Sequence, residues 1–259
     1  MKPTRILIAA SCLLSVYAAC LPAMADDAPP PDAHWFGAGQ AGLLNSSGNS
    51  RSTSFNAKLD LARTDGPWRN AVFLAGLYGK NAGLLSAERA EGRYELDRKV
   101  SDRYFWFGRL EANRDLFSGF NYQATASGGI GYKFIDSERT KLSGTLGAGY
   151  QRVQTQQLVK DAAGVVIQRI NGEPEGNVVG TAALDFAHGL TATTQLTDKL
   201  FVTSGSANTS MGNDLGLAVS MSDRLALSLG YGVRYNTSPA PGTKKLDQVT
   251  TANIVYKIR

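Results

Sequence analysis

Leu225-Ala226-Leu227-Ser228-Leu229-Gly230-Tyr231-Gly232-Val233-Arg234-Tyr235-Asn236 alternates without a break. Leu225, Leu227, Leu229, Tyr231, Val233 and Tyr235 share one parity, and Ala226, Ser228, Gly230, Gly232, Arg234 and Asn236 the other. A strand sends successive side chains to opposite faces, so this segment has one apolar, aromatic-tipped face and one small or polar face. It is also about twice the usual five or six residues of a globular strand. A strand crossing a bilayer obliquely needs about nine to eleven.

The same pattern recurs outward from this stretch. Phe120, Tyr122, Ala124, Ala126, Gly128, Ile130, Tyr132 and Phe134 oppose Asn121, Gln123, Thr125, Ser127, Gly129, Gly131 and Lys133. Leu142 to Gln151, Phe55 to Leu61 and Ala252 to Ile258 repeat it. A soluble sandwich also alternates, but its apolar face would be the packed core. Here aromatics gather near strand ends, as in an interfacial girdle, and the opposite face is rich in glycine and small polar groups. No run after the first residues approaches the roughly 18 apolar residues of a membrane helix. The expected fold is an all-β, up-and-down antiparallel transmembrane barrel of outer-membrane type.

Punctuation sets the strand number. Val100-Ser101-Asp102-Arg103, Leu196-Thr197-Asp198-Lys199 and Met221-Ser222-Asp223-Arg224 repeat one phrase, with Thr64-Asp65-Gly66-Pro67 and Ile135-Asp136-Ser137-Glu138 as variants. Ser and Asp side chains bond nearby backbone and favour tight turns. Looser connections are expected near Ser46–Ser50, Asn81–Glu88, Arg114–Gly119, Val153–Pro174, Ser206–Asn213 and Thr237–Lys245. Five tight turns alternating with six loops predict twelve strands, with both termini and the tight turns on the periplasmic side. The segment 175–210 gives the least definite strand limits.

Composition narrows the function classes. The 259 residues carry 27 Lys+Arg against 22 Asp+Glu, two Cys and two His. Such a small, dispersed excess of positive charge does not point to nucleic acid. Two cysteines exclude a disulfide scaffold or zinc ribbon. Lys2 and Arg5, the apolar run from Ile6 to Ala19, and Ala23-Met24-Ala25 read as a secretory signal peptide, residues 1–25. A lipoprotein signal ending at Cys20 is the alternative, although Tyr17 stands where such signals usually place Leu. Residues 26–34 form an extended, Pro-rich lead-in, and 35–259 the barrel domain.

In a barrel the polar face lines the lumen, so chemistry is sought there. Arg89, Glu91, Arg93, Glu95, Asp97 and Lys99 share one parity; Arg103, Phe105, Phe107, Arg109, Glu111 and Asn113 do so on the following strand. Glu91, Arg93, Glu95, Arg109 and Glu111 are the candidate binding residues of the interior. One reading is a charged constriction or solute site. The favoured one is an internal salt-bridge network, because opposite charges stabilise each other across paired strands. Inward Phe105 and Phe107 suit a plug better than an open channel.

Enzyme signals are thin. Cations beside Glu91 and Glu95 would keep both ionised, unsuiting a general acid. His188 has no spacing that singles out a nucleophile and orienter. Gly128-Gly129-Ile130-Gly131 lacks the helix and Lys-Ser/Thr of a phosphate loop, and reads as relief of crowding in a curved strand. Asp115, Asp136 and Asp247 do not have EF-hand spacing. No catalytic, metal or cofactor residue is assigned.

Ser47-Gly48-Asn49, Trp68-Arg69, Asp115-Leu116-Phe117-Ser118-Gly119-Phe120, Gly129-Ile130-Gly131-Tyr132, and Tyr235-Asn236 leading to Pro239, Lys244, Lys245 and Asp247 occur in an order that resembles a known family. It is that of the salt-induced outer-membrane proteins, or domain of unknown function 481, and the resemblance covers essentially the whole mature chain. It implies an outer-membrane barrel linked by name to salt response, with no accepted biochemical activity and no catalytic residues to carry over. Members tend to finish on an aromatic residue; here Arg259 follows Ile258.

The expected role is passage of small solutes or ions, or a structural role in envelope adaptation to salt and osmotic change. Expected partners are outer-membrane lipid and the barrel-assembly machinery. An outer-membrane hydrolase and a soluble periplasmic barrel holding a lipid-like ligand are the alternatives.

Overall fold

A computed structural model of the chain describes residues 34–46, 52–116, 120–161, 166–206, 208–239 and 245–258. The signal peptide, most of the lead-in, Ser47-Gly48-Asn49, Phe117-Ser118-Gly119, Lys244 and Arg259 lie outside these residues. Twelve strands follow one another: β1 (Phe36–Ser46), β2 (Ser52–Asp65), β3 (Trp68–Asn81), β4 (Leu84–Lys99), β5 (Tyr104–Asp115), β6 (Phe120–Asp136), β7 (Thr140–Lys160), β8 (Val166–Gly189), β9 (Thr194–Gly205), β10 (Thr209–Ser220), β11 (Leu225–Asn236) and β12 (Leu246–Ile258). Each pairs antiparallel with its chain neighbours, and β1 meets β12 to close the barrel.

The parity read from the sequence is the parity of the wall. On β11, Leu227 and Leu229 are 49% and 58% exposed, whereas Ala226 and Ser228 are 2% and 8%. Ile130, Leu146 and Ile254 stand on the same outer surface. An apolar exterior around a polar interior is the inverse of a soluble barrel, and it matches lipid on one side and an enclosed lumen on the other. Closure also leaves no open sheet edge in the apolar belt, where unpaired backbone groups are costly.

The turns explain where the sequence reading succeeds and where it fails. Ser101 Oγ accepts from Tyr104 N at 3.0 Å, and Ser222 Oγ from Leu225 N at 3.1 Å. In each turn the preceding apolar residue, Val100 or Met221, donates its N–H to the first carbonyl of the next strand. The β8–β9 turn has the same geometry, but it is built from Leu190-Thr191-Ala192-Thr193: Thr191 Oγ1 accepts from Thr194 N at 3.0 Å. Leu196-Thr197-Asp198-Lys199, expected to be that turn, lies inside β9, with Thr197 buried. The hydroxyl bonded to an N–H three residues on carries the turn; the Asp in the repeated phrase does not.

Three expected loops are shorter than their expected spans. Asn81–Glu88 contains a two-residue turn, with Ala82 at φ 50° and Gly83 at φ 83°, and β4 begins at Leu84. Two consecutive positive φ values fit the I′ turn that matches strand twist. Val153–Pro174 is mostly strand, because β7 and β8 continue pairing as far as Lys160 and Val166. Ser206–Asn213 shrinks likewise, since β10 starts at Thr209.

Candidate functional site

The interior of the barrel is built by facing positions on adjacent strands. Register sets Glu95 opposite Arg109, Arg93 opposite Glu111, and Glu91 opposite Asn113. The five candidate residues are therefore on one wall, on β4 and β5. Their contacts are more selective than a single network of five. Arg109 Nε donates to Glu95 Oε2 at 2.5 Å, and Arg69 Nη1 on β3 lies 3.7 Å from Glu95 Oε1. The same Arg69 nitrogen donates to Asp97 Oδ2 at 2.9 Å. Glu91 is met by Arg89 Nη2 of its own strand at 3.4 Å. Arg93 places its guanidinium 4.8 Å from the centre of the Phe73 ring, and its charge interacts with Glu111, Glu95, Glu91 and Asp60.

Beneath these charges lies a layer of rings on glycines. Phe107 is 5% exposed, with Arg109 over it at 5.1 Å. A Cβ on Gly147 would come within 2.8 Å of the Phe107 ring, and one on Gly131 would overlap Phe105. The inward glycines are thus seats for inward phenylalanines, a more specific role than relief of curvature. The guanidinium completes the layer by stacking on the ring face, a favourable cation–π arrangement.

The same construction occurs on the other side of the lumen. Phe201 of β9 covers Gly212 of β10, and Arg234 of β11 stacks on Phe201 at 4.8 Å. Arg234 then grips Asp214 with a two-pronged bond, Nη1 to Oδ1 at 2.6 Å and Nη2 to Oδ2 at 2.9 Å. Lys199 Nζ meets Asp185 Oδ1 at 3.0 Å on the same side. Since β4 and β10 are six places apart in a ring of twelve, the two assemblies face each other. Their charges interact across the lumen: Lys199 with Glu95 and Glu111, and Glu91 with Asp214.

Lys58, Asp60, Asp97 and Asp214 are all buried, and the inward charges alternate in sign around the wall. A wide, water-filled pore would leave such groups wet, and a selectivity ring would carry one sign. Toward the loop end the lumen lining becomes amide- and hydroxyl-rich, with Asn56 Nδ2 donating to Asn253 Oδ1 at 2.9 Å and Gln151 Nε2 to Thr125 Oγ1 at 3.1 Å.

Sequence reasoning missed Arg69, Lys58, Asp60, Lys199, Asp185 and Asp214 as interior charges. Arg234 is on the polar face of Leu225–Asn236, so parity alone suffices to add it. Lys199 is hidden by the misplaced turn, which takes it out of β9, and Asp214 by the expected loop Ser206–Asn213, which ends beside it. His188 is on the outer parity of β8, where Nδ1 lies 2.8 Å from Thr140 Oγ1 and the ring stacks beside Phe186. Among the described residues, no group of three His, Cys, Asp or Glu side chains is placed to hold a metal ion.

Residues 39–258 match the family model "Protein of unknown function, DUF481", and the chain belongs to that family. No curated protein matches it. Among solved structures, it is similar to the NanC porin at 8% identity and TM-score 0.49, covering 86% of this chain and 99% of that one. The translocator domain of the autotransporter NalP from Neisseria meningitidis aligns at 12% identity and TM-score 0.44, covering 87% of each chain. The Pseudomonas putida toluene transporter TodX aligns at 10% identity and TM-score 0.37, covering 95% of this chain and 94% of that one.

Proposed function

We propose that this chain is an outer-membrane barrel whose ion-paired lumen passes water and small ions while excluding larger polar solutes. The observation that carries this reading is the pair of facing ring-and-guanidinium assemblies, Phe107–Arg109–Glu95 and Phe201–Arg234–Asp214. Each fixes a long cation over a ring and locks it with a carboxylate, so the obstruction is held in place. Export would follow cleavage after Ala25, and insertion would use the barrel-assembly machinery. A constriction that excludes osmolytes while conducting ions would suit an envelope under salt stress, as the family resemblance suggests.

Liposome swelling and planar-bilayer conductance test the reading on protein extracted from the outer membrane. The wild type is expected to give small ion currents and no swelling in arabinose. Asp214→Ala/Arg234→Ala removes both partners together, avoiding an orphaned charge, and should open a path for arabinose. Wild-type swelling as fast as that of the double variant would overturn the proposal. Fractionation into the soluble periplasm would overturn the location.

A further inference from the structure

Two arginines stand on the outer surface near the loop end of β5 and β7, unlike the stacked arginines of the lumen. Arg114 of β5 and Arg152 of β7 have the outward parity of their strands and are exposed near the loop end. Arg152 is opposite Ala124 and Gly176, and Arg114 is opposite Ala90, so their cross-strand neighbours carry no charge. Neither forms an ion pair among the described residues. The outward carboxylate Glu88 lies two residues beyond Ala90 on β4, diagonal to Arg114, and no ion pair joins the two. Strand spacing and rise set the Cα atoms of Arg114 and Arg152 on the order of 12 Å apart, close enough for both side chains to converge on one group. Tyr150 leans over Gly176, where a Cβ would overlap its hydroxyl, so that hydroxyl comes up to the level of Arg152.

Below the arginines the outer wall is recessed. Gly108, Gly128, Ala148 and Gly180 form one row across β5 to β8, between Leu110 and Tyr150 on one side and Trp106, Ile130 and Leu146 on the other. Packing within the barrel does not demand the small residues at both ends of that row. A Cβ on Gly108 would meet nothing within 4 Å, and one on Gly180 only Ser204 O at 4.0 Å. Inward Gly147, by contrast, is filled by Phe107.

We propose that Arg114, Arg152 and the Tyr150 hydroxyl bind a phosphate of an outer-leaflet glycolipid, with an acyl chain in the recess beneath. Charge complementarity selects the occupant, because a guanidinium pair matches phosphate oxygens and the apolar row matches a hydrocarbon chain. The inference rests on the outer-membrane orientation with loops facing outward.

Native mass spectrometry of detergent-purified protein titrated with bisphosphorylated lipid A tests it. Arg114→Ala/Arg152→Ala should weaken binding at least about tenfold, the loss expected from one charge-assisted hydrogen bond. Gly108→Leu should weaken it while leaving heat-modifiable gel mobility unchanged. Dephosphorylated lipid A should bind the wild type no better than the bisphosphorylated form binds the double variant, and millimolar inorganic phosphate should not compete. Equal binding by the wild type and the folded double variant would overturn the proposal, as would full competition by inorganic phosphate. Fractionation into the soluble periplasm with lipid A binding intact would instead refute the outer-membrane location on which the inference rests.

Discussion

Arg109→Ala measures whether the lumen is dry. The side chains of Arg109 and Glu95 are 13% and 17% exposed, and their bond is 2.5 Å. Breaking a buried pair costs about 3–5 kcal/mol, because the remaining charge is uncompensated. Two features reduce that figure here. Arg69 stays 3.7 Å from Glu95, and the residual exposure admits some solvent. Loss of the cation over Phe107 adds a smaller amount back. The expected destabilisation is therefore about 2–3 kcal/mol, between the buried and exposed limits. Urea unfolding in lipid vesicles, followed by tryptophan fluorescence, gives the value. Glu95→Ala and the double variant complete a thermodynamic cycle, with an expected coupling of about 1–2 kcal/mol. Arg152→Ala, on the outer surface, is the control and should change stability by less than about 0.5 kcal/mol. A cost for Arg109→Ala no larger than that of Arg152→Ala, with additive behaviour in the cycle, would refute a desolvated ion pair narrowing the lumen.

Three further outcomes are expected. Leu227→Arg places a cation on the lipid face and should destabilise by roughly 2–4 kcal/mol, whereas Leu227→Phe should be tolerated; unfolding in vesicles compares them. Ala82→Asn should raise stability by about 0.5–1 kcal/mol, since Asn accepts the left-handed backbone that Ala82 is forced to adopt, and a melting curve without that gain counts against the turn assignment. Gly147→Val should lower stability by about 1–3 kcal/mol by driving a side chain into the Gly128 carbonyl and the Phe107 ring, while Gly108→Val, facing open space, should be nearly neutral.

The fold was legible because a membrane barrel writes its two environments into alternate residues. Leu225–Asn236 shows this most plainly, since lipid and lumen impose opposite demands one residue apart. Tight turns were legible where Ser precedes Asp, as at Ser101 and Ser222. They were misread at Thr197 because the deciding event is a hydroxyl meeting an N–H three residues on, and many Ser and Thr could do that. Thr191 does it with Ala192 and Thr193 behind it, a combination with little turn character of its own. One displaced turn then took Lys199 out of the strand and concealed an interior cation that pairs with Asp185. The seating of Phe201 on Gly212 was beyond sequence reading for another reason. It depends on register between β9 and β10, which backbone pairing fixes and composition does not.

The width of the barrel explains why its lumen uses layers. Twelve strands spaced about 4.8 Å apart and tilted by about 40° give a backbone diameter on the order of 24 Å. Aliphatic side chains from the wall would leave a wide channel, as an eight-stranded barrel would not. Laying a phenylalanine flat on a glycine places a ring about 4 Å from the neighbouring strand, at ordinary van der Waals distance. The guanidinium sits a further 4.8 Å away on Phe201 and 5.1 Å on Phe107. Each layer can thus extend about 9 Å from the wall, and two facing layers cover most of the diameter. What is left, once van der Waals radii are taken off, is on the order of 3 Å, about the width of one water molecule, bordered by carboxylates that hold the guanidinium groups in place. The glycines of the inner face therefore help to close the lumen: adding a side chain at Gly212 would push Phe201 and Arg234 off their stack and away from Asp214. Gly212→Ala should accordingly raise conductance as well as lower stability, and a variant that lost stability with unchanged conductance would separate the stack from the constriction.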